Sequence, residues 1–144
     1  MTQPTVFVIF GATGDLSTKK IFPSFFKLYE NKLLPQIFKI IACARTPHTN
    51  ESFIKILQES AKINNTLPAG RQKKTSQAFA SKIQYVSLDI AESQNLADLA
   101  LALDTFEKES KVCPKRVFYM AISPKIYESA FNNLGKTKLN LGCQ

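Results

Sequence analysis

Val6-Phe7-Val8-Ile9-Phe10-Gly11-Ala12-Thr13-Gly14-Asp15-Leu16 is the stretch that decides the fold. The apolar run before Gly11 lacks the polar alternation of a half-exposed strand, and β-branched and aromatic residues dominate it. That pattern predicts a parallel strand covered on both faces. The two glycines let the backbone turn tightly and let a large anion approach amide N–H groups that a Cβ would shield. A strand that ends in a phosphate cradle is therefore expected. Two glycines in such a turn are weak evidence alone; their place after the first strand of a βαβ unit strengthens them. The third small position of the dinucleotide fingerprint is Ser17 rather than glycine.

The chain beyond this turn alternates helix and strand patterns. Phe22, Phe25, Phe26 and Tyr29 recur at helical spacing up to Pro35, with Pro23 marking either the start of that helix or a kink. Ile37-Phe38-Lys39-Ile40-Ile41-Ala42-Cys43-Ala44 reads as a second buried strand, closing one βαβ unit. Thr49 or Asn50 can cap a second helix with Phe53, Ile54, Ile56, Leu57 and Ala61 on its apolar face. Residues 64–75 read as a long basic surface loop, and Ile83-Gln84-Tyr85-Val86-Ser87-Leu88 as a third strand. Leu96, Leu99, Ala100, Leu103 and Phe106 form a third amphipathic stripe, and Val117-Phe118-Tyr119-Met120-Ala121-Ile122 a fourth strand. Ser123-Pro124 suits the start of a last helix, with Tyr127, Ala130, Phe131 and Leu134 on one face and Gly135 closing its far end. Four βα repeats joined by right-handed crossovers predict a doubly wound, Rossmann-like α/β domain over residues 1–144, with ligands bound at the carboxyl edge of the sheet.

Composition narrows the partners without choosing one. The chain has 144 residues, is 44% hydrophobic and carries a formal charge of +8, which suits one globular domain with a polyanionic ligand. It is small for a complete nucleotide-dependent enzyme. The basic runs Arg71, Lys73, Lys74 and Lys136, Lys138 lack interleaved aromatics, so no nucleic-acid partner is expected. No apolar stretch reaches the length of a membrane span and no secretion-signal pattern opens the chain, so no membrane association and a cytoplasmic location are expected. Cys43, Cys113 and Cys143 have neither a disulfide pattern nor metal-ligand spacing, and all three are expected to be reduced.

Arg45 refines the ligand. Nicotinamide enzymes that prefer NAD carry an acid at the tip of the second strand, to bind the ribose hydroxyls. Here that strand runs out into Arg45, whose planar, permanently charged fork matches a 2′-phosphate. The glycine turn and Arg45 together point to NADP. His48, the single histidine, lies on what would be the adenine side and reads as a loop residue rather than a general base. Asp15 reads as a turn or capping residue, and Asp89 as either a cap or a neighbour of the nucleotide. No catalytic residue is expected within the chain.

Gly11-Ala12-Thr13-Gly14-Asp15-Leu16-Ser17-Thr18-Lys19-Lys20-Ile21-Phe22-Pro23 resembles the opening of the coenzyme domain of glucose-6-phosphate dehydrogenases. The likeness continues through Leu33-Leu34-Pro35, Ala44-Arg45, Tyr85-Val86 with Asp89, and Phe118-Tyr119-Met120-Ala121-Ile122-Ser123-Pro124 with Tyr127. The resemblance implies an oxidoreductase of the oxidative pentose phosphate pathway that converts glucose 6-phosphate to the lactone with NADP. It implies that Gly11, Ala12, Thr13, Gly14, Asp15, Leu16, Ser17 and Thr18 wrap the coenzyme pyrophosphate and that Arg45 holds the 2′-phosphate. It further implies that Asp89, Ile90, Met120, Ala121 and Tyr127 line the rest of the cleft. Ser123-Pro124 stands where the family has two prolines, and residues 64–80 match nothing in it. The family's histidine base and sugar-binding residues belong to sequence beyond position 144, so glucose 6-phosphate would be a partner only of the full-length enzyme.

This chain is then expected to be a fragment that binds NADP without turnover and self-associates through an unpaired sheet edge. A non-catalytic NADP-binding or redox-sensing module needs only the same glycines and Arg45. A short-chain reductase would need a Tyr-x-x-x-Lys pair, which neither Tyr119 nor Tyr127 begins.

Overall fold

A computed structural model describes residues 3–63, 73–92 and 96–143. The first apolar run forms β1 (Thr5–Phe10) and the second forms β2 (Phe38–Ala44). They are followed by β3 (Ile83–Ser87) and β4 (Lys115–Met120). The sheet order is β3-β2-β1-β4 and every pairing is parallel. Because β1 lies between β2 and β4, the chain leaves β1 in one direction and returns to its other side, which makes the β1–β4 boundary the switch point of the sheet.

The helices cover both faces, as uninterrupted apolar strands require. α1 (Phe22–Glu30), α2 (Asn50–Ile63) and α3 (Lys73–Ala80) lie on one face. There Phe22, Phe25, Phe53 and Phe79 pack with Ile9, Ile40, Ala42 and Tyr85. α4 (Ala97–Ser110) and α5 (Tyr127–Lys136) lie on the other. There Leu99, Leu103, Phe106, Ala130 and Leu134 pack with Val6, Val8, Phe10 and Ile41. Alternate residues of β1 thus feed opposite cores, as the period of two dictates.

Several expectations change in detail. Residues 64–72 of the expected loop lie outside the described residues, but residues 73–80 are α3, anchored by Phe79 against Phe26 and Tyr29 with ring centroids 5.4 and 5.5 Å apart. α1 starts at Phe22, within a turn of Pro23 as expected, but a further helical segment precedes it. That segment begins at Asp15 and passes through a π-helical turn, Ser17–Ile21, in which the Phe22 N–H donates to the Ser17 carbonyl, five residues back. Pro23 sits in the first turn of the α-helix that follows, where its missing N–H costs least. β4 starts and ends two residues earlier than expected. Gly135 lies inside α5, and Lys138, with φ of 59°, takes the left-handed position beyond its end.

The cysteines also correct the sequence reading. Cys113 and Cys143 form a disulfide across 30 positions, with Cα atoms 5.6 Å apart, and only Cys43 is a free, buried thiol. The pairing arises because the segment after α5 folds back on the start of β4. Arg116 Nη1 donates to the carbonyls of Leu139 and Leu141 at 3.0 and 2.8 Å, and its Nη2 lies 3.5 Å from Glu107. Beyond this contact, among the described residues no strand pairs with the outer edge of β4.

Candidate functional site

The site is built where the tips of β1 and β4 meet. Gly11 leaves β1 with φ of +79°, in the left-handed region that favours glycine. A Cβ there would stand 2.0 Å from the Ala121 carbonyl oxygen, so the two backbones touch at this point. The N–H groups of Gly11 and Ala12 both donate to the Cys43 carbonyl, at 2.9 and 3.0 Å, which ties the turn to β2 as well. Three strand ends are thereby locked around one glycine.

From that lock the chain rises into a helix N-terminus. Gly14 N–H donates back to the Gly11 carbonyl at 3.1 Å, and Thr18 N–H makes the first helical bond, to the Gly14 carbonyl at 3.0 Å. The amides of Asp15, Leu16 and Ser17 precede that bond and have no acceptor within the helix. They form the electropositive end of the helix at the carboxyl edge of the sheet, which is the arrangement that receives a pyrophosphate. Ser17 is fully buried and its Oγ donates to the Gly11 carbonyl at 2.9 Å, while Thr18 Oγ1 donates to the Gly14 carbonyl at 3.1 Å. The third small position thus accepts serine because its hydroxyl fastens the turn. Asp15 does not cap the helix; its exposed carboxylate lies 3.5 Å from Lys19. Thr13 is half-buried and Leu16 exposed beside the same turn.

Arg45 follows the last residue of β2 and is exposed at the strand tip, on the side of the turn opposite β4. Its loop runs directly into α2, whose start is closed by reciprocal bonds between Thr49 and Ser52: Ser52 N–H to Thr49 Oγ1 at 3.1 Å and Thr49 N–H to Ser52 Oγ at 3.0 Å. His48 lies in this loop, with Nδ1 3.3 Å from Ser52 Oγ and its ring edge-on to Tyr85. Asp89 closes its own turn, with Oδ1 accepting from Ala91 N–H at 3.0 Å. Ile90 is buried in the core, and its carbonyl accepts from Asn133 Nδ2 at 2.8 Å. On the β4 side Met120, Ala121 and Tyr127 are half-buried, and Tyr127 Oη donates to the Met120 carbonyl at 3.5 Å.

The expected residues therefore fall into three groups along the carboxyl edge: Asp89 and Ile90 past β3, Arg45 and the glycine turn in the middle, and Met120, Ala121 and Tyr127 past β4. Sequence reasoning missed Tyr85 and Ser87, which bond to the Arg45 loop. Strand periodicity fixes only the face on which a residue lies, and carries no signal for a bond between a strand and a distant loop.

An open parallel sheet with a glycine-turn helix N-terminus at its switch point defines a dinucleotide-binding domain. The family model described as glucose-6-phosphate dehydrogenase, NAD binding domain, matches residues 8–143. The chain belongs to that family. It is 34% identical over 137 residues to a glucose-6-phosphate 1-dehydrogenase of Treponema pallidum, covering 95% of this chain and 26% of that protein. It is 37% identical over 127 residues to the Kluyveromyces lactis enzyme, covering 87% and 25% respectively. Among solved structures, a glucose-6-phosphate dehydrogenase in complex with its substrate glucose-6-phosphate superposes with a TM-score of 0.83 at 33% identity, covering 97% of this chain and 28% of that one. The chain spans about a quarter of the length of the curated relatives it matches.

Proposed function

We propose that this chain is the NADP-binding portion of a glucose-6-phosphate dehydrogenase. The observation that carries the choice of NADP is Arg45, exposed at the tip of β2 where an NAD-preferring domain would present an acid. The chemistry of the donor set fits the whole coenzyme. The first-turn amides of Asp15, Leu16 and Ser17 suit the pyrophosphate, and Gly11 lets the tip of β1 turn against Ala121 so that the helix start is set at the sheet edge. The guanidinium of Arg45 suits a 2′-phosphate through paired charge-assisted hydrogen bonds. Asp89 and Ile90, after β3, and Met120, Ala121 and Tyr127, after β4, would line the rest of the cleft. When bound, the coenzyme supplies the acceptor for the hydride leaving the sugar.

The residues of this chain bind and orient that coenzyme; they do not remove the hydroxyl proton. His48 is tied to Ser52 beside Tyr85, at the β2 and β3 side of the sheet, away from the β4 side. The 144-residue chain by itself is therefore expected to bind NADP without oxidising glucose 6-phosphate.

Calorimetric titration tests the assignment. Arg45→Ala should weaken NADP binding at least tenfold, about the worth of hydrogen bonds to a charged group, and leave NAD binding within twofold. Equal loss of both coenzymes, or of neither, would remove Arg45 from the 2′-phosphate subsite.

A further inference from the structure

Two side chains of β3 reach the backbone of the loop that carries Arg45. Tyr85 Oη donates to the Thr46 carbonyl, and Ser87 Oγ donates to the Arg45 carbonyl at 3.2 Å. Successive carbonyls at the root of the Arg45 side chain are thus held from outside the loop, and Pro47 limits the backbone freedom of Thr46 next to them.

Tyr85 is itself held firmly. Its N–H points off the outer edge of the sheet and donates to Asn50 Oδ1, at the start of α2, at 2.7 Å. Its ring is buried, 5.0 Å from Phe53 and 5.4 Å from His48 between centroids. Burial also pushes its phenol above the ordinary value, so the hydroxyl keeps its proton and remains a donor.

We propose that Tyr85 and Ser87 are positioning residues for coenzyme discrimination: they fix the Arg45-Thr46 backbone so that the guanidinium is presented in place for a 2′-phosphate. The proposal rests on the NADP reading of Arg45 given above. An arginine on a free loop must lose both loop and side-chain freedom when it grips a phosphate, whereas a loop already bonded to β3 loses only the second. NAD has no phosphate for Arg45 to grip, so the advantage falls on NADP alone.

The test is the calorimetric affinity of the full chain for NADP and for NAD. Tyr85→Phe removes the hydroxyl and keeps the ring between Phe53 and His48, so the fold is retained. It should weaken NADP about fivefold, the worth of one ordinary hydrogen bond, with NAD unchanged within twofold. Ser87→Ala, at an exposed position, should weaken NADP about twofold to threefold, and Ser87→Thr, which keeps the hydroxyl, should restore wild-type binding. Equal weakening of both coenzymes, or no change in either, overturns the proposal. A wild-type chain without NADP preference overturns the coenzyme reading itself and the proposal with it; that failure appears before any variant is made.

Discussion

Replacing Gly11 with alanine is the sharpest perturbation that the fold offers. The new Cβ would stand 2.0 Å from the Ala121 oxygen, 2.8 Å from its carbonyl carbon and 3.3 Å from Ile122 Cγ2. Contacts between such atoms settle at about 3.5 Å or more, so the tips of β1 and β4 would have to part by more than an ångström. They are poorly placed to do so, because Phe10 pairs with Met120 on one side and Gly11 N–H is bonded to Cys43 on the other. Holding alanine at φ of +79° costs about 1–2 kcal/mol, and forcing an extra carbon into a packed contact about 1–3 kcal/mol. A total of about 2–5 kcal/mol lowers the melting temperature of a domain this size by roughly 7–17 °C. Gly135→Ala is the internal control, since nothing lies within 4 Å of its Cβ position and it sits inside α5. There alanine should stabilise by up to about 1 kcal/mol. Thermal melts and an NADP titration on both variants decide the matter. A Gly11→Ala chain that melts within about 2 °C of wild type and binds NADP unchanged would refute the close-approach account of the turn.

The remaining predictions concern the cysteines. Burial pushes the Cys43 thiol up from its ordinary 9.0, so above that pH the unfolded chain releases a proton that the native chain keeps. Stability is then fully present below about pH 9 and falls as pH rises, by at most about 1.4 kcal/mol per pH unit. Tyr85 adds to the fall above its ordinary 10.0. Urea midpoints between pH 8 and 10.5 should show this slope in wild type and a shallower one in Cys43→Ala; identical slopes would contradict it. The Cys113–Cys143 disulfide closes a 30-residue segment that holds β4 and α5. Reducing it should cost about 3–4 kcal/mol by the chain-entropy relation, lowering the melting temperature. No shift on reduction, with mass spectrometry confirming the thiols, would show that the bond constrains nothing.

Where local chemistry alone sets the structure, it was legible in the sequence. The unbroken run before Gly11, the two glycines and the repeated stripes gave the parallel strands, and Arg45 stood at the strand tip where the pattern put it. What escaped depends on tertiary contact. α3 has one strong anchor, Phe79, in a short polar segment, so its period was too faint to read. β4 opens with Lys115 and Arg116, and the buried Arg116 side chain is accommodated by the Leu139 and Leu141 carbonyls and Glu107, contacts that form only when the chain folds back after α5. Cys113 and Cys143 meet only because the chain folds back after α5, a contact that no spacing encodes. Ser17 reads in the sequence as a departure from glycine, whereas its bond to the Gly11 carbonyl depends on the folded turn.

Binding of the two coenzymes to the wild-type chain tests the central claim most directly. Titrated separately into the purified 144-residue protein, NADP should bind saturably at one site and at least tenfold more tightly than NAD. A folded chain that binds neither dinucleotide, or binds NAD as tightly as NADP, would contradict the account.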